Sequence, residues 1–150
     1  MSKILILIWG FIFAVSTFAY GQQNFTVSGE INFHEEKGEF LVWLKTQEEH
    51  ENRDKPTPAE RSLIIKPSPQ QLKTSKFTFK FINVPRGSYC IHSHQDLNLN
   101  GKWDHSPETF IPMEPYGYSG PTYFGSAQWD DIKFEVDKDI SGIEIWLPNI

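Results

Sequence analysis

The chain has a single cysteine, Cys90, among its 150 residues. An intrachain disulfide is therefore excluded, and the folded state has to be stabilised by a hydrophobic core, with or without a bound metal. Basic residues are also few, because 14 lysines and arginines stand against 19 aspartates and glutamates, for a formal net charge of −5. That balance argues against nucleic acid or an anionic membrane as a partner and is compatible with binding a cation.

Long hydrophobic runs are absent except at the amino terminus, where residues 4–19 form an apolar stretch behind the single charge of Lys3. This pattern, with small residues at Ala19 and Gly21, predicts a signal peptide at residues 1–21 that is cleaved before Gln22. The alternative is a retained membrane anchor, but the run is short for a span of about 20 residues. We therefore expect an exported protein, periplasmic or extracellular, with no membrane span after cleavage.

Helical periodicity is missing from the remaining residues, and an apolar–polar alternation with period two takes its place. The alternation predicts strands at 25–33, 39–46, 76–84, 88–95 and 142–147, with shorter ones at 62–66 and 131–136. The first two of these are predicted to pair as a hairpin. Residues 47–60 are charged, contain two prolines and show no period, which predicts a long polar loop, and residues 70–75 are predicted to be a second loop.

Short strands separated by turn signals are typical of an antiparallel sandwich. We therefore predict one all-β domain over residues 22–150, an immunoglobulin-like or prealbumin-like β-sandwich of six to seven strands. Its core is predicted to contain Phe77, Phe79, Phe81, Tyr89, Ile91, Ile132, Phe134 and Ile145.

The stretch from Asp96 to Asp104 has the D-x-N-x-N-G-x-x-D spacing of a calcium loop. Oxygen-bearing side chains fall at loop positions 1, 3, 5 and 9, and Gly101 occupies position 6, where the sharp turn favours glycine. A strand leads into the loop, so an EF-hand is not expected. The predicted Ca²⁺ ligands are Asp96, Asn98, Asn100, the carbonyl of Lys102, Asp104 and Glu108.

Two features of this loop leave alternatives open. Position 12, where an EF-hand has its bidentate glutamate, is Pro107, so Glu108 or a carboxylate from elsewhere, such as Asp130 or Asp131, has to complete the ligand shell. Aspartate and asparagine also bond their own backbone, so a metal-free turn is the competing interpretation.

A family resemblance extends over most of residues 22–150. Residues 77–104 contain the pattern F-x-F-x-x-V-P-x-G-x-Y-x-I-x-x-x-x-D-x-N-x-N-G-x-x-D, which resembles the core motif of domain of unknown function 2141, a family of small exported bacterial proteins. Residues 111–119, and Gly120-Pro121 with Phe124, also resemble that family. The resemblance implies a small β-sandwich and supplies no established activity.

A group of potential metal ligands precedes the loop. Cys90, His92 and His94 share one face of the predicted strand, and a His-x-His pair can bind one Zn²⁺, with His105 as a third ligand. A metal-dependent enzyme using His92, His94 and His105 is therefore the alternative function. The competing interpretation is an outward polar face with surface histidines, and a lone cysteine near a histidine is weak evidence for a nucleophile.

Residues 114–124 are dense in aromatic residues, glycine and proline. With Trp103 and Trp129 they could form an aromatic platform for a carbohydrate or protein ligand, since aromatic faces provide large contact area at low entropic cost. The alternative is that these rings fold back over one end of the sandwich.

Taken with the calcium-type loop, these features predict a non-enzymatic binding or structural module that holds Ca²⁺.

Export is testable on the native protein. Cleavage after residue 21 should give a mature chain whose amino terminus lies near Gln22, as measured by mass spectrometry of protein from the producing cells. A mature chain that still begins at Met1 would refute the signal peptide.

Overall fold

The computed structural model describes residues 23–52, 54–121 and 127–149, so the predicted signal peptide lies outside the described residues. The strands are β1 (Asn24–Asn32), β2 (Glu39–Lys45), β3 (Ser62–Ile65), β4 (Lys76–Pro85), β5 (Gly87–Asp96), β6 (Tyr116–Tyr118), β7 (Phe134–Val136) and β8 (Ile140–Trp146). The helices are α1 (Gln47–Glu51), α2 (Pro69–Thr74) and α3 (Trp129–Ile132), with a 3-10 turn at Ala59–Arg61. None of the described helices has the length and apolarity to cross a membrane.

The strands form two sheets, which confirms the all-β prediction. One sheet has the order β4-β1-β8, and the other has the order β3-β2-β5-β6, with β7 paired to the first residues of β5. The pairing of β1 with β8 is parallel, so the sheets are not antiparallel throughout. The described residues contain eight strands, one more than the upper predicted number.

The predicted hairpin between the first two strands is wrong. β1 pairs with β4 and β8, whereas β2 pairs with β3 and β5, so the connection between β1 and β2 crosses from one sheet to the other. Each strand has an apolar face, and placing them in different sheets lets both faces meet in the core. At the crossing the rings of Phe33 and Phe40 lie 4.8 Å apart between centroids.

The main core fills the space between the inner faces of the two sheets. Phe77, Phe79, Phe81, Tyr89, Ile91 and Ile145 are buried there, as predicted. Phe134 is only partly buried against this core, and Ile132 packs in a second cluster. The predicted strand at 131–136 is wrong in its first half, because Trp129 and Ile132 lie one helical turn apart in α3 and both face the second cluster.

The predicted loops at 47–60 and 70–75 each contain a helix. α1 begins with a reciprocal capping box between Thr46 and Glu49, and α2 begins with the same arrangement between Ser68 and Gln71. The buried Glu49 carboxylate is bound by both terminal nitrogens of Arg61 at 2.7 and 2.6 Å. Burial alone would raise the pKa of Glu49, but the hydrogen bonds and charge of Arg61 hold it below its usual value.

Strand β5 is buried on both faces from Tyr89 to Asp96. Tyr89 and Ile91 face the main core, whereas Cys90 belongs to a second buried cluster on the outer face of the sheet. That cluster is built from Cys90, Tyr116, Tyr118, Ala127, Trp129 and Ile132, with Trp103 packed against it. The chain on the carboxyl side of β5 therefore covers the outer face of its own sheet, and this cover contains the candidate site.

The register of β4 can be tested with two substitutions on opposite faces. Phe79 is 3% exposed and Ile82 is 61% exposed on the same strand. Phe79→Ala should cost about 3–5 kcal/mol of unfolding free energy because it leaves a cavity in the core. Ile82→Ala, the control, should change stability by less than about 0.5 kcal/mol in chemical denaturation. A cost below about 1 kcal/mol for Phe79→Ala would contradict the register.

Candidate functional site

The loop from Asp96 to Asp104 is wrapped around its own acidic side chains. The buried Asp96 carboxylate accepts the backbone N–H of Asn100 at 3.2 Å and that of Gly101 at 2.6 Å. Asn98 and Asn100 both donate their side-chain amides to Oδ2 of Asp104, at 2.6 and 2.8 Å. Gly101 has a φ of +73°, the left-handed conformation that favours glycine at this position. Four of the predicted ligands are thus brought together.

Glu114, which the sequence did not single out, fastens both ends of the loop. One carboxylate oxygen accepts the N–H of Leu97 at 2.8 Å, and the other accepts the N–H of Asp104 at 3.2 Å. Burial raises the pKa of Glu114, the charges of Asp96 and Asp104 add to the rise, and these two backbone bonds oppose it. Glu114 therefore supports the loop from outside.

The remaining predicted ligands are placed less closely around the loop. The backbone of Lys102 lies beside His94, whereas the Glu108 side chain is exposed. No hydrogen bond or ion pair joins Glu108 to the loop among the described residues. Asp130 and Asp131 are exposed on α3, and Asp130 is paired with Lys133.

The histidines of β5 are buried, so the interpretation as surface histidines is wrong. His92 is 5% exposed and His94 has no exposed surface. His92 stacks on Tyr118 of the neighbouring strand, with ring centroids 4.6 Å apart and an interplanar angle of 15°. Trp103 packs on His92 at 4.8 Å and on His105 at 4.4 Å. Aromatic rings from later in the chain therefore cover the face that alternation alone predicts to be polar.

Burial controls the ionisation of His94 and Cys90. Burial lowers the pKa of His94 to about 4, although the Asp96 charge and the Lys102 backbone favour protonation. Neither ring nitrogen of His94 forms a hydrogen bond of ordinary geometry with the described residues. Burial also raises the pKa of the Cys90 thiol to about 12. At neutral pH, His94 is therefore uncharged and Cys90 is a thiol rather than a nucleophilic thiolate.

A cavity of about 560 Å³ lies over the outer face of the second sheet. Its aromatic lining consists of Trp43, Trp103, Tyr118 and Trp129. Its polar lining consists of Lys45, His50, Glu51, His92, His105 and Gln128. Trp43 comes from β2, His92 from β5 and Tyr118 from β6, and these three are neighbours across the sheet. The sheet supplies the floor, and the loop after Asp96 supplies Trp103 and His105.

The opposite side of the cavity is formed by α1 and α3. His50 of α1 lies 2.9 Å from the carbonyl of Ala127 through Nε2, and its ring packs 6.1 Å from that of Trp129. Glu51 and Gln128 are exposed, whereas His92 and Trp129 are buried. The exposed pair therefore lies where the cavity opens to solvent, at its mouth, and the buried pair lines its covered part.

Across the described ranges, no three side chains from histidine, cysteine, aspartate and glutamate are grouped so that they could hold a metal. A calcium site in the 96–104 loop does not require such a trio, because two of its predicted side-chain ligands are asparagines. The transition-metal site at His92, His94 and His105 stays a prediction.

The predicted aromatic loop at 114–124 is packed rather than projecting, as far as it is described. Residues 114–119 are all buried, and residues 116–118 form β6 against β5. The Ser119 hydroxyl donates to the carbonyl of Ile132 at 2.8 Å and accepts the N–H of Ile91 at 2.7 Å. Residues 122–124 lie outside the described residues. The described part supports the interpretation that the rings fold back over the sandwich.

Comparison with protein families identifies the chain. A family model described as an uncharacterized protein conserved in bacteria, DUF2141, matches residues 31–143. The chain belongs to this family. The match covers the 96–104 loop, both histidines of β5 and most of the strands of this DUF2141 member. Comparison with curated proteins and with solved structures gave no match.

Sequence reasoning singled out only part of the cavity of this DUF2141 protein. The predicted residues included Trp103, Tyr118, Trp129, His92 and His105, but not Trp43, Lys45, His50 or Glu51. Trp43 and Lys45 lie at outward positions of β2, and His50 and Glu51 lie within the predicted 47–60 loop. The capping box at Thr46 and Glu49 is the signal that could have located α1, and with it His50 and Glu51.

The burial of His94 predicts a pH-dependent stability in EDTA. Between the ordinary pKa of 6.5 and the lowered value of about 4, the unfolded chain binds more protons than the folded one, so unfolding free energy falls as the pH falls. The full difference is about 3 kcal/mol. His94→Leu should remove this part of the pH dependence, and the exposed His34→Leu should keep it, as measured by denaturation at pH 7 and pH 4. Glu114 is present in both variants, so its contribution does not affect the comparison. Equal pH dependence in wild type and His94→Leu would contradict the assignment.

Proposed function

We propose that the protein is an exported, non-enzymatic binding or structural module, and that its 96–104 loop takes up Ca²⁺ as a stabilising ion. The observation that carries the proposal is the convergence of Asp96, Asn98, Asn100 and Asp104 within one tight loop. Asn100 touches both acidic side chains, through its backbone to Asp96 and through its amide to Asp104. Two carboxylates and two amide oxygens are donors of the kind that Ca²⁺ prefers, and ion binding would require the amides of Asn98 and Asn100, whose nitrogens now face Asp104, to turn their oxygens toward the ion.

Hydrogen bonds from outside the loop also hold its backbone in place. Glu114 fixes both ends, which lowers the entropy that ion binding has to overcome. The positive charge of Ca²⁺ would offset the repulsion among Asp96, Asp104 and Glu114, which contributes to the raised pKa of Glu114. The backbone of Lys102, Glu108 and water are the remaining donors that we assign to the ion.

The protonation states of Cys90 and His94 argue against nucleophilic and general-base catalysis by these two residues at neutral pH. The Cys90 thiol with a pKa of about 12 is a poor nucleophile, and His94 with a pKa of about 4 is a poor base at neutral pH. Export is supported by the apolar run at residues 4–19. The two sheets around one core support an immunoglobulin-like or prealbumin-like sandwich.

Calcium should raise the thermal stability of the wild-type protein. Two carboxylates make a weak site, with a dissociation constant of roughly 10⁻⁴–10⁻³ M. Calcium at a hundred times that constant should add about 2.7 kcal/mol of unfolding free energy. Mg²⁺ should add less, because it dehydrates reluctantly and requires a tighter octahedron. The measurement is thermal unfolding in EDTA, Ca²⁺ and Mg²⁺.

Two variants separate the site from general salt effects. The double substitution Asp96→Ala with Asp104→Ala should abolish the calcium response, whereas Lys133→Gln, at an exposed position directly after α3, should keep it. The proposal fails if Ca²⁺ at about 10–100 mM, a hundred times that dissociation constant, leaves the wild type unchanged, or if the double variant gains as much as the wild type does. The loop is then a metal-free turn.

A further inference from the structure

We propose that the cavity between the outer face of the second sheet, α1 and α3 binds a short, uncharged saccharide of one or two sugar rings. The cavity has a volume of about 560 Å³, within the range of about 300–1,000 Å³ that is usual for small-molecule sites. This inference names the ligand of the binding module proposed above and rests on that function. It does not depend on the calcium site.

The aromatic lining suits the faces of sugar rings. Trp43 of β2, Trp103 of the loop after β5 and Trp129 of α3 line one cavity, with Tyr118 on the floor. A sugar ring presents flat patches of C–H groups, which pack on indole and phenol faces with little loss of side-chain entropy. Of the four tryptophans within residues 23–149, only Trp146 is not part of the lining.

The polar lining argues against a purely apolar ligand. Glu51, Gln128 and His105 add hydrogen-bonding groups to the cavity, and Lys45 adds an ammonium. A hydrocarbon ligand would strip water from these groups without replacing its hydrogen bonds, which is costly. A polyhydroxylated ligand can satisfy such groups at its edges while its faces contact the rings.

The charge of the lining argues for a neutral ligand. Lys45 contributes a positive charge and Glu51 a negative one, so neither sign dominates. The Lys45 ammonium lies 5.7 Å from the centre of the Trp43 ring, so it also opposes a quaternary ammonium ligand on that face. The overall charge of −5 disfavours a phosphorylated or acidic ligand.

The experiment is a titration of the full-length chain, expressed with residues 1–21 so that any processing takes place. The probes are maltose, cellobiose, lactose and chitobiose, each followed by intrinsic tryptophan fluorescence and by calorimetry, in Ca²⁺ and again in EDTA. At least one disaccharide should bind saturably. Glu51→Gln should weaken that binding about tenfold, because it removes a charged hydrogen-bond acceptor from the mouth.

Each cavity variant has a matched control outside the cavity. Glu48 is exposed on α1, pairs with Lys55 and does not line the cavity, so Glu48→Gln should change affinity by less than about twofold. Trp43→Ala should weaken binding about tenfold or more, whereas the half-exposed Trp146→Ala should not. Because Trp43 also packs on His94, the exposed Glu51 provides the variant that is expected to fold normally.

Three results would overturn the proposal. They are no saturable binding of any of the four disaccharides to folded wild type, equal affinity in Glu51→Gln and Glu48→Gln, and binding of tetramethylammonium or a hydrophobic dye in place of the sugars. Proton NMR of the sugar during the titration separates this proposal from the proposed function. Bound but intact sugar supports both, whereas cleavage of the sugar keeps the saccharide site and refutes the non-enzymatic function.

Discussion

Burial of strand β5 on both faces is the constraint on which the rest of the structure depends. Its inner face meets the core through Tyr89 and Ile91, and its outer face carries Cys90, His92, His94 and Asp96, all buried. Such a face has to be covered by other parts of the chain, whose side chains pack on it and exclude water. The loop after Asp96, the strand β6 and the helix α3 together form that cover.

The cover joins the two candidate sites. Asp104 belongs to the proposed ion-binding loop, and its neighbours Trp103 and His105 line the cavity. Glu114 fastens the loop and is followed almost directly by β6, whose Tyr118 lies on the cavity floor. Any change in the loop backbone on ion binding therefore reaches the cavity within one or two residues. An ion that fixes the loop would also fix one wall of the cavity.

Alternation in the sequence predicts the inner faces of the strands well, because one apolar face per strand is enough to define the core. It fails for the outer face of β5, where His92, His94 and Asp96 look like solvent-facing residues. The two histidines are buried by the rings of Trp103 and Tyr118, which come later in the chain, and of Trp43 on β2, and no local pattern relates these rings to β5. The predicted hairpin between β1 and β2 is wrong for a similar reason. Two consecutive strands that each have an apolar face can pair in one sheet or face each other across a core, and the alternation is the same in both arrangements. The close approach of Asp96, Asn98, Asn100 and Asp104 was predictable because these four lie within nine consecutive residues, whereas Glu108, the other side chain predicted as a ligand, follows four residues later and is exposed.

The most direct test of this account is an NMR titration of ¹⁵N-labelled protein with Ca²⁺, followed at the tryptophan indole N–H resonances. The account predicts that the Trp103 resonance shifts in step with the backbone amides of Asn100 and Gly101, while Trp146, half-exposed on β8, stays in place. Loop amides that respond while Trp103 does not would show that the ion and the cavity are independent. No response in the loop at millimolar Ca²⁺ would contradict the ion site itself.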